Sequence, residues 1–263
     1  MFQIFRNINY TAQPYSNTFF KLGTIIMKIR TLKTSLLIAI TSIFLASCGN
    51  HYHISQPSIS SNNATNTQQV TNSKTSNDNN YQNTYNYLAS LNYQPHHSAI
   101  IPVNNDISSL NMSMWKTNHV QYSQLDNLNR TSSPAIADLE QRNLANDSLR
   151  VRQTVKPTGW HQKFNFNHQP ILNRGHIIAY SLSKGISMNG NYEPFLQSGD
   201  QNNPRNLFTQ TAFCNQELQT IYESKVRDAL EQGAKVVYRV QPVFQGNDLM
   251  AKGVWMQQLV VMA

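Results

Sequence analysis

The chain has 263 residues, of which 40% are hydrophobic and only 13% charged, with a formal net charge of +8. That length admits one or two domains, but the first third is too polar to build a core, which leaves one folded domain of ordinary size. Five of the 21 basic residues precede Cys48, where no acidic residue occurs; the remainder carries 16 basic and 13 acidic residues, a mild excess that suits an anionic substrate and equally suits an ordinary solvated surface.

The front end reads as an address. From Met27, Lys28, Arg30 and Lys33 make a positive region and Leu36 to Leu45 an apolar run of ten residues. Such a run is too short to span a bilayer as a stable helix and right for a secretory signal. Leu45-Ala46-Ser47-Cys48 follows directly and resembles a bacterial lipobox, in which Cys48 would become the lipid-modified first residue. A plain signal peptide with an incidental cysteine is the alternative. Residues 1–26 fit no part of a signal and read as a mis-assigned upstream extension, with Met27 as the start. Residues 27–47 are then the signal peptide.

Residues 48–92 hold the candidate lipid anchor and a segment dominated by Asn, Ser, Thr, Gln and Tyr. Apolar residues are too sparse to offset the entropy of ordering it, so it is expected to be a flexible spacer. His51, His53, His96 and His97 are more simply solvated than metal-binding. The two cysteines, Cys48 and Cys214, sit in such different contexts that no disulfide is expected; Cys214 reads as a small core hydrophobe.

The folded domain is expected over 93–263. Residues 99–121 read as strands, and 132–150 as a helix after Ser132-Ser133-Pro134. Lys156-Pro157-Thr158-Gly159-Trp160 is a turn, with Trp160 expected in the core. Ile171-Leu172 and Ile177-Ile178 flank Asn173-Arg174-Gly175-His176, which suggests a strand bearing His176. Leu218, Ile221, Tyr222, Val226, Ala229 and Leu230 recur at helical steps over Ala212 to Gln232, with Gly233 as the stop. Lys235 to Phe244 is a Val- and Tyr-rich strand, turned by Gly246-Asn247-Asp248 into Leu249 to Val261. This order argues for an α+β fold with an antiparallel sheet.

Asn215, Gln219, Glu223 and Arg227 form a stripe at four-residue steps beside the apolar face of that helix. Glu223 and Arg227 alone could be no more than a helical ion pair. His176 follows Arg174-Gly175, so the backbone is free to turn there and a guanidinium is near. A histidine of ordinary basicity can activate water, an amide oxygen among waters suits Mg²⁺, and arginines clamp phosphate oxygens. These are the parts for metal-assisted cleavage of a phosphodiester.

The stretch from about Tyr122 to Phe244 resembles the DNA/RNA non-specific endonucleases with a ββα-metal core, of the EndA and NucA kind. The matching pieces are Lys156 to Trp160, Asn173 to His176, Asn203-Pro204-Arg205-Asn206-Leu207, and the helix with Asn215, Glu223 and Arg227. The resemblance implies a central antiparallel sheet with flanking helices. It implies that His176 is the general base, Asn215 the direct Mg²⁺ ligand and Glu223 the carboxylate that orients metal-bound water. Mn²⁺ or another divalent cation could substitute. Arg174 and Arg227 match phosphate-contacting positions, Arg205 falls in a substrate-binding segment, and Asn206 shapes the site. The implied substrate is DNA, with RNA left open, bound through backbone phosphates; no obligate protein partner is implied.

Two departures stand out. The family's commonest form has Asp where this chain has Asn173, so a charge near the metal shell is missing. The chain also stops soon after Met256, where further strand sequence is expected, so the domain reads as cut short at its last strand. The leading expectation is a lipid-anchored, Mg²⁺-dependent endonuclease working outside a bacterial cell. The alternative is a surface nucleic-acid-binding lipoprotein of the same fold without turnover. A structural or adhesive surface protein is a third reading, which the set of motifs disfavours.

Overall fold

A computed structural model describes residues 3–11 and 72–261. The segment 27–47 expected to be a signal peptide, Cys48, His51 and His53 lie outside the described residues. The elements in chain order are β1 (Gln3–Thr11), α1 (Asn72–Ser90), β2 (Ile100–Pro102), β3 (His119–Gln121), β4 (Ala135–Leu139), β5 (Leu172–His176), β6 (Leu207–Thr211), α2 (Gln219–Glu231), β7 (Lys235–Val243) and β8 (Gly253–Val261). Short 3₁₀ turns connect several of them, and a π-helical turn, Cys214–Leu218, leads into α2. Among the described residues no helix is long and apolar enough to cross a membrane.

Six strands form the main sheet in the order β2-β1-β8-β7-β4-β3. The expected antiparallel sheet is found in β8, β7, β4 and β3. β1 departs from it by running parallel to both β8 and β2. β7 and β8 carry Val236, Val237, Tyr238, Val240 and Val254 to Val260, nearly all buried on both faces. That is why these two strands read as almost continuous apolar runs rather than as alternation. One face packs against α2, which buries Tyr222, Val226, Ala229 and Leu230. Cys214 lies in the same core as a free, buried thiol, in the packing role expected of it. Gly233 ends the helix at φ +82°, a conformation glycine adopts without strain.

Three expectations change. Residues 132–150 are not a helix: Ala135–Leu139 form β4, paired with β7, and 3₁₀ turns follow. Ala135, Ala137 and Leu139 are buried, a two-residue period that a helical reading of the same apolar residues misassigns. The region 99–121 contains strand only at β2 and β3, each three residues long. The polar segment expected to be spacer forms α1 over Asn72–Ser90. Its anchors are few but well placed: Tyr81, Tyr85 and Leu88 lie at helical spacing, Leu88 is buried, and Tyr81 stacks on Trp255 with ring centroids 4.5 Å apart.

The second sheet is β5 paired antiparallel with β6, in the register His176 opposite Leu207. With the π turn and α2 it makes a strand–strand–helix unit, and this unit carries the candidate chemistry.

Candidate active site

β5 ends at His176, as the flanking apolar pairs suggest. Ile177 and Ile178, both buried, anchor the chain directly beyond it. Asn206 is buried and clamps this exit: its side chain accepts from the Ile178 amide (2.8 Å) and donates to the Ile178 carbonyl (3.0 Å). Asn206 therefore fixes β5's continuation and does not line the cleft. Its neighbour Arg205 does not line the cleft either; it reaches the Met188 carbonyl and lies 6.0 Å from the centre of the Tyr122 ring.

His176, Arg174, Asn173, Asn215, Glu223 and Arg227 all line one cleft of about 800 Å³. Residues from β5, the π turn and α2 are joined there by two glutamines whose four amide protons are all used. Gln210, on β6, donates to Asn215 Oδ1 (2.9 Å) and to Gln219 Oε1 (3.0 Å). Gln219 donates to the His176 carbonyl (2.9 Å) and to Glu223 Oε1 (2.7 Å). Gln210 fits because position 175 is glycine: a Cβ there would stand 1.8 Å from Gln210 Nε2. Gly175 is thus required for space and not for a turn, since it sits within β5 without a positive φ.

In the sequence Gln219 stands on the stripe with no distinct role, and the only signal for Gln210 is the glycine that accommodates it. The π turn that presents Asn215 was also not legible. Such turns are rare and recur at functional sites.

The His176 ring has one defined partner. Its Nε2 lies 3.0 Å from the Gln201 carbonyl, which can only accept, so Nε2 carries the proton and Nδ1 keeps the lone pair. Gln153 Nε2 is 3.4 Å away and already donates to the Arg174 carbonyl. Burial pushes the imidazole pKa down to about 4, against a raising effect of the Gln201 carbonyl and with a further lowering by Arg150. The ring is neutral near pH 7, the form a base needs.

Glu223 shows the opposite shift. Burial pushes its carboxyl up to about 7, and the Gln219 bond only partly opposes this. The sequence allowed an ion pair between Glu223 and Arg227. The structure instead pairs Arg227 Nε with Glu231 at 3.2 Å and directs its Nη1 to the Ala145 carbonyl at 3.0 Å. Among the described residues no lysine or arginine forms an ion pair with Glu223. A half-buried carboxylate that no lysine or arginine pairs with, beside an amide oxygen with a second lone pair, is a donor set that fits a hard divalent cation. Among the described residues no cluster of three His, Cys, Asp or Glu could enclose a metal, so a cation here would keep much of its water.

Arg174 donates to the Val155 carbonyl (3.1 Å) and lies 5.3 Å from the centre of the Trp160 ring. Trp160 is half-buried and lines the cleft, so its aromatic face serves Arg174 and the core expectation is corrected. Arg150 also lines the cleft and was not anticipated. Three arginines and a single carboxylate therefore face this space.

The family model for DNA/RNA non-specific endonuclease matches residues 108–260. The chain belongs to the DNA/RNA non-specific endonuclease family. It is a nucleic-acid hydrolase of mixed α+β fold. Among solved structures it is similar to NucA from Streptococcus agalactiae with magnesium bound, at 29% identity, covering 58% of this chain and 71% of that one, with a TM-score of 0.47. The metal-free NucA of the same organism gives 30% identity, 58% and 69% coverage, and a TM-score of 0.46. Sda1 nuclease with bound zinc gives 22% identity, 54% and 68% coverage, and a TM-score of 0.37.

Proposed function

We propose that the protein is a Mg²⁺-dependent endonuclease that cuts DNA without sequence preference outside a bacterial cell. The observation that carries this reading is the convergence of His176, Asn215 and Glu223 on one cleft through the Gln210–Gln219 network.

In this reading the neutral His176 takes a proton at Nδ1 from the water that attacks phosphorus. A new P–O bond forms as the bond to the leaving oxygen breaks. Asn215 would hold the cation directly through Oδ1, and Glu223 would hold it through water. Bound there, the cation supplies charge neutralisation at the scissile phosphate and the leaving oxygen. Arg174 and Arg227 offer N–H donors to phosphate oxygens, and contacts to phosphates carry little sequence information. The Asn173 side of the cleft lacks the carboxylate common in the family, which leaves Glu223 as its one acid.

Secretion is proposed from the signal-like segment 27–47, and anchoring to the bacterial membrane from a lipid on Cys48. Metabolic labelling with a radioactive fatty acid should mark the wild-type protein and not Cys48→Ser.

The purified protein should nick supercoiled plasmid with Mg²⁺ and stop with EDTA. His176→Ala should lose about 10²-fold or more in rate, the scale of a general base, with an unchanged circular dichroism spectrum. Retained cutting by His176→Ala would remove the proposed base. Binding without any Mg²⁺-dependent cutting by the wild type would select a non-catalytic binding protein.

A further inference from the structure

Between Trp160 and β5 the chain makes a small hairpin that the catalytic reading does not use. Phe164 bridges Pro170 in antiparallel pairing, and the Ile171 amide donates to the Lys163 carbonyl at 2.8 Å. Asn165 closes the tip, its side-chain oxygen accepting from the Asn167 and Gln169 amides, both at 2.9 Å. The tip is therefore ordered by its own bonds. Its aromatic rings stand open: Phe166 is fully exposed and Phe164 is 57% exposed. Two phenylalanines left bare on one short, ordered hairpin expose apolar area with no compensating packing among the described residues.

The surroundings say what covers them. Phe164 and Pro170 line the same cleft as His176 and Arg174, so whatever lies across the catalytic residues continues onto the hairpin. That cleft carries Arg150, Arg174 and Arg227 against the single carboxylate of Glu223, and Lys163 adjoins Phe164 in the chain. The partner is then a polyanion that also offers flat apolar faces. A duplex hides its base faces in the stack, whereas an unpaired strand presents them; aromatic rings interleaved with cations are the means by which single strands are held without sequence readout.

We infer that Phe164 and Phe166 form a stacking platform for unpaired bases next to the scissile phosphate, so that the enzyme prefers single-stranded or locally melted nucleic acid. This inference rests on the nuclease reading of the cleft. It is tested by the ratio of kcat/KM on a labelled single-stranded oligonucleotide to that on the matching duplex, using the full-length protein with Mg²⁺. Phe166→Ala should lower that ratio by about tenfold, the scale of one lost base–aromatic stack. Phe166→Trp should keep it, and Phe195→Ala, an exposed ring outside the cleft, should leave it unchanged.

A second readout needs no turnover. In EDTA, a single strand containing 2-aminopurine should be quenched on binding the wild-type protein and much less on binding Phe164→Ala/Phe166→Ala. An unchanged ratio in Phe166→Ala, or equal quenching by the double variant, overturns the platform. If the wild type cuts nothing but quenches through these rings, the nuclease reading fails and the platform stands.

Discussion

Asn215 presents one oxygen to the cleft, and its direction is set by Gln210. Replacing Gln210 with Ala removes the donor and leaves the carboxamide free to rotate. Such supporting partners typically contribute ten- to a hundredfold in metal affinity. Gln210→Ala should therefore raise the Mg²⁺ concentration needed for half-maximal cutting by about that factor. Gly175→Ala should do the same without touching either amide, because its Cβ displaces Gln210. If activity titrates identically with Mg²⁺ in both variants and the wild type, Gln210 is only a packing residue. Glu223 leads to a pH effect. Its folded pKa of about 7 lies above the ordinary carboxylate value of 4.5, so the native state holds a proton that the unfolded chain has lost between those values. Stability is therefore fully present below pH 4.5 and is lost as pH rises through 7. His176, lowered to about 4, works the other way: stability is present above 6.5 and is lost as pH falls through 4. The two effects oppose each other across most of the acid range, so the wild type alone would hide them. Glu223→Gln separates them. In EDTA it should melt at a higher temperature than the wild type at pH 8, with the difference vanishing near pH 4.5. A difference independent of pH would mean that burial does not penalise this carboxylate.

At the scale of elements, legibility followed how each segment reaches the core. α2 and β7 were readable because each buries a regular set of positions: Tyr222, Val226, Ala229 and Leu230 on the helix, and nearly all of β7. β5 was readable from its paired isoleucines and its NRGH sequence. β4 was not, because Ala135, Ile136 and Leu139 satisfy a loose helical spacing while its pairing with β7 enforces alternation. α1 was hidden by composition. Its polar residues outnumber its anchors, and only tertiary contacts reveal that Tyr81 stacks on Trp255, that Tyr85 accepts from the Phe244 amide at 3.2 Å, and that Lys252 caps the helix end through the Ala89 carbonyl at 2.9 Å. The candidate catalytic side chains are legible because their types and order carry the chemistry, whereas the glutamines that orient them are not, because an amide buried between a strand and a helix has no periodic signature. Tyr81→Ala tests the helix. It removes one aromatic stack and the hydroxyl's bond to Gln241, and should lower stability by about 1–3 kcal/mol. The urea midpoint measures this. Nuclease activity should be unchanged under native conditions, since α1 lines none of the catalytic cleft.

For the whole molecule, the signal peptide proposed over residues 27–47 and the sheet make opposing demands. Cleavage before Cys48 would remove β1, yet Ile4 and Phe5 of β1 are fully buried, and the strand pairs with β8 along nine residues. Arg6 also bonds Asp106 at 3.0 Å and lies over the Tyr222 ring of α2. A processed and an unprocessed form would therefore share the catalytic unit but differ in the edge of the main sheet. Burying one isoleucine and one phenylalanine contributes roughly 3–6 kcal/mol, and in a domain of this size each kcal/mol moves the midpoint by about 2–4 °C. The protein made from Gly49 onward should thus melt about 6–24 °C below the protein made from Met1. It should still fold, because β8 stays fully paired with β7 and the residues under α2 come almost entirely from the later strands. Its rate on plasmid at 25 °C should match the longer form, since no β1 residue lines the cleft. Its freed β8 edge should make it the more prone to associate, visible as concentration-dependent elution in size-exclusion chromatography. Equal melting temperatures for the two forms would show that β1 adds nothing to the stability of the sheet.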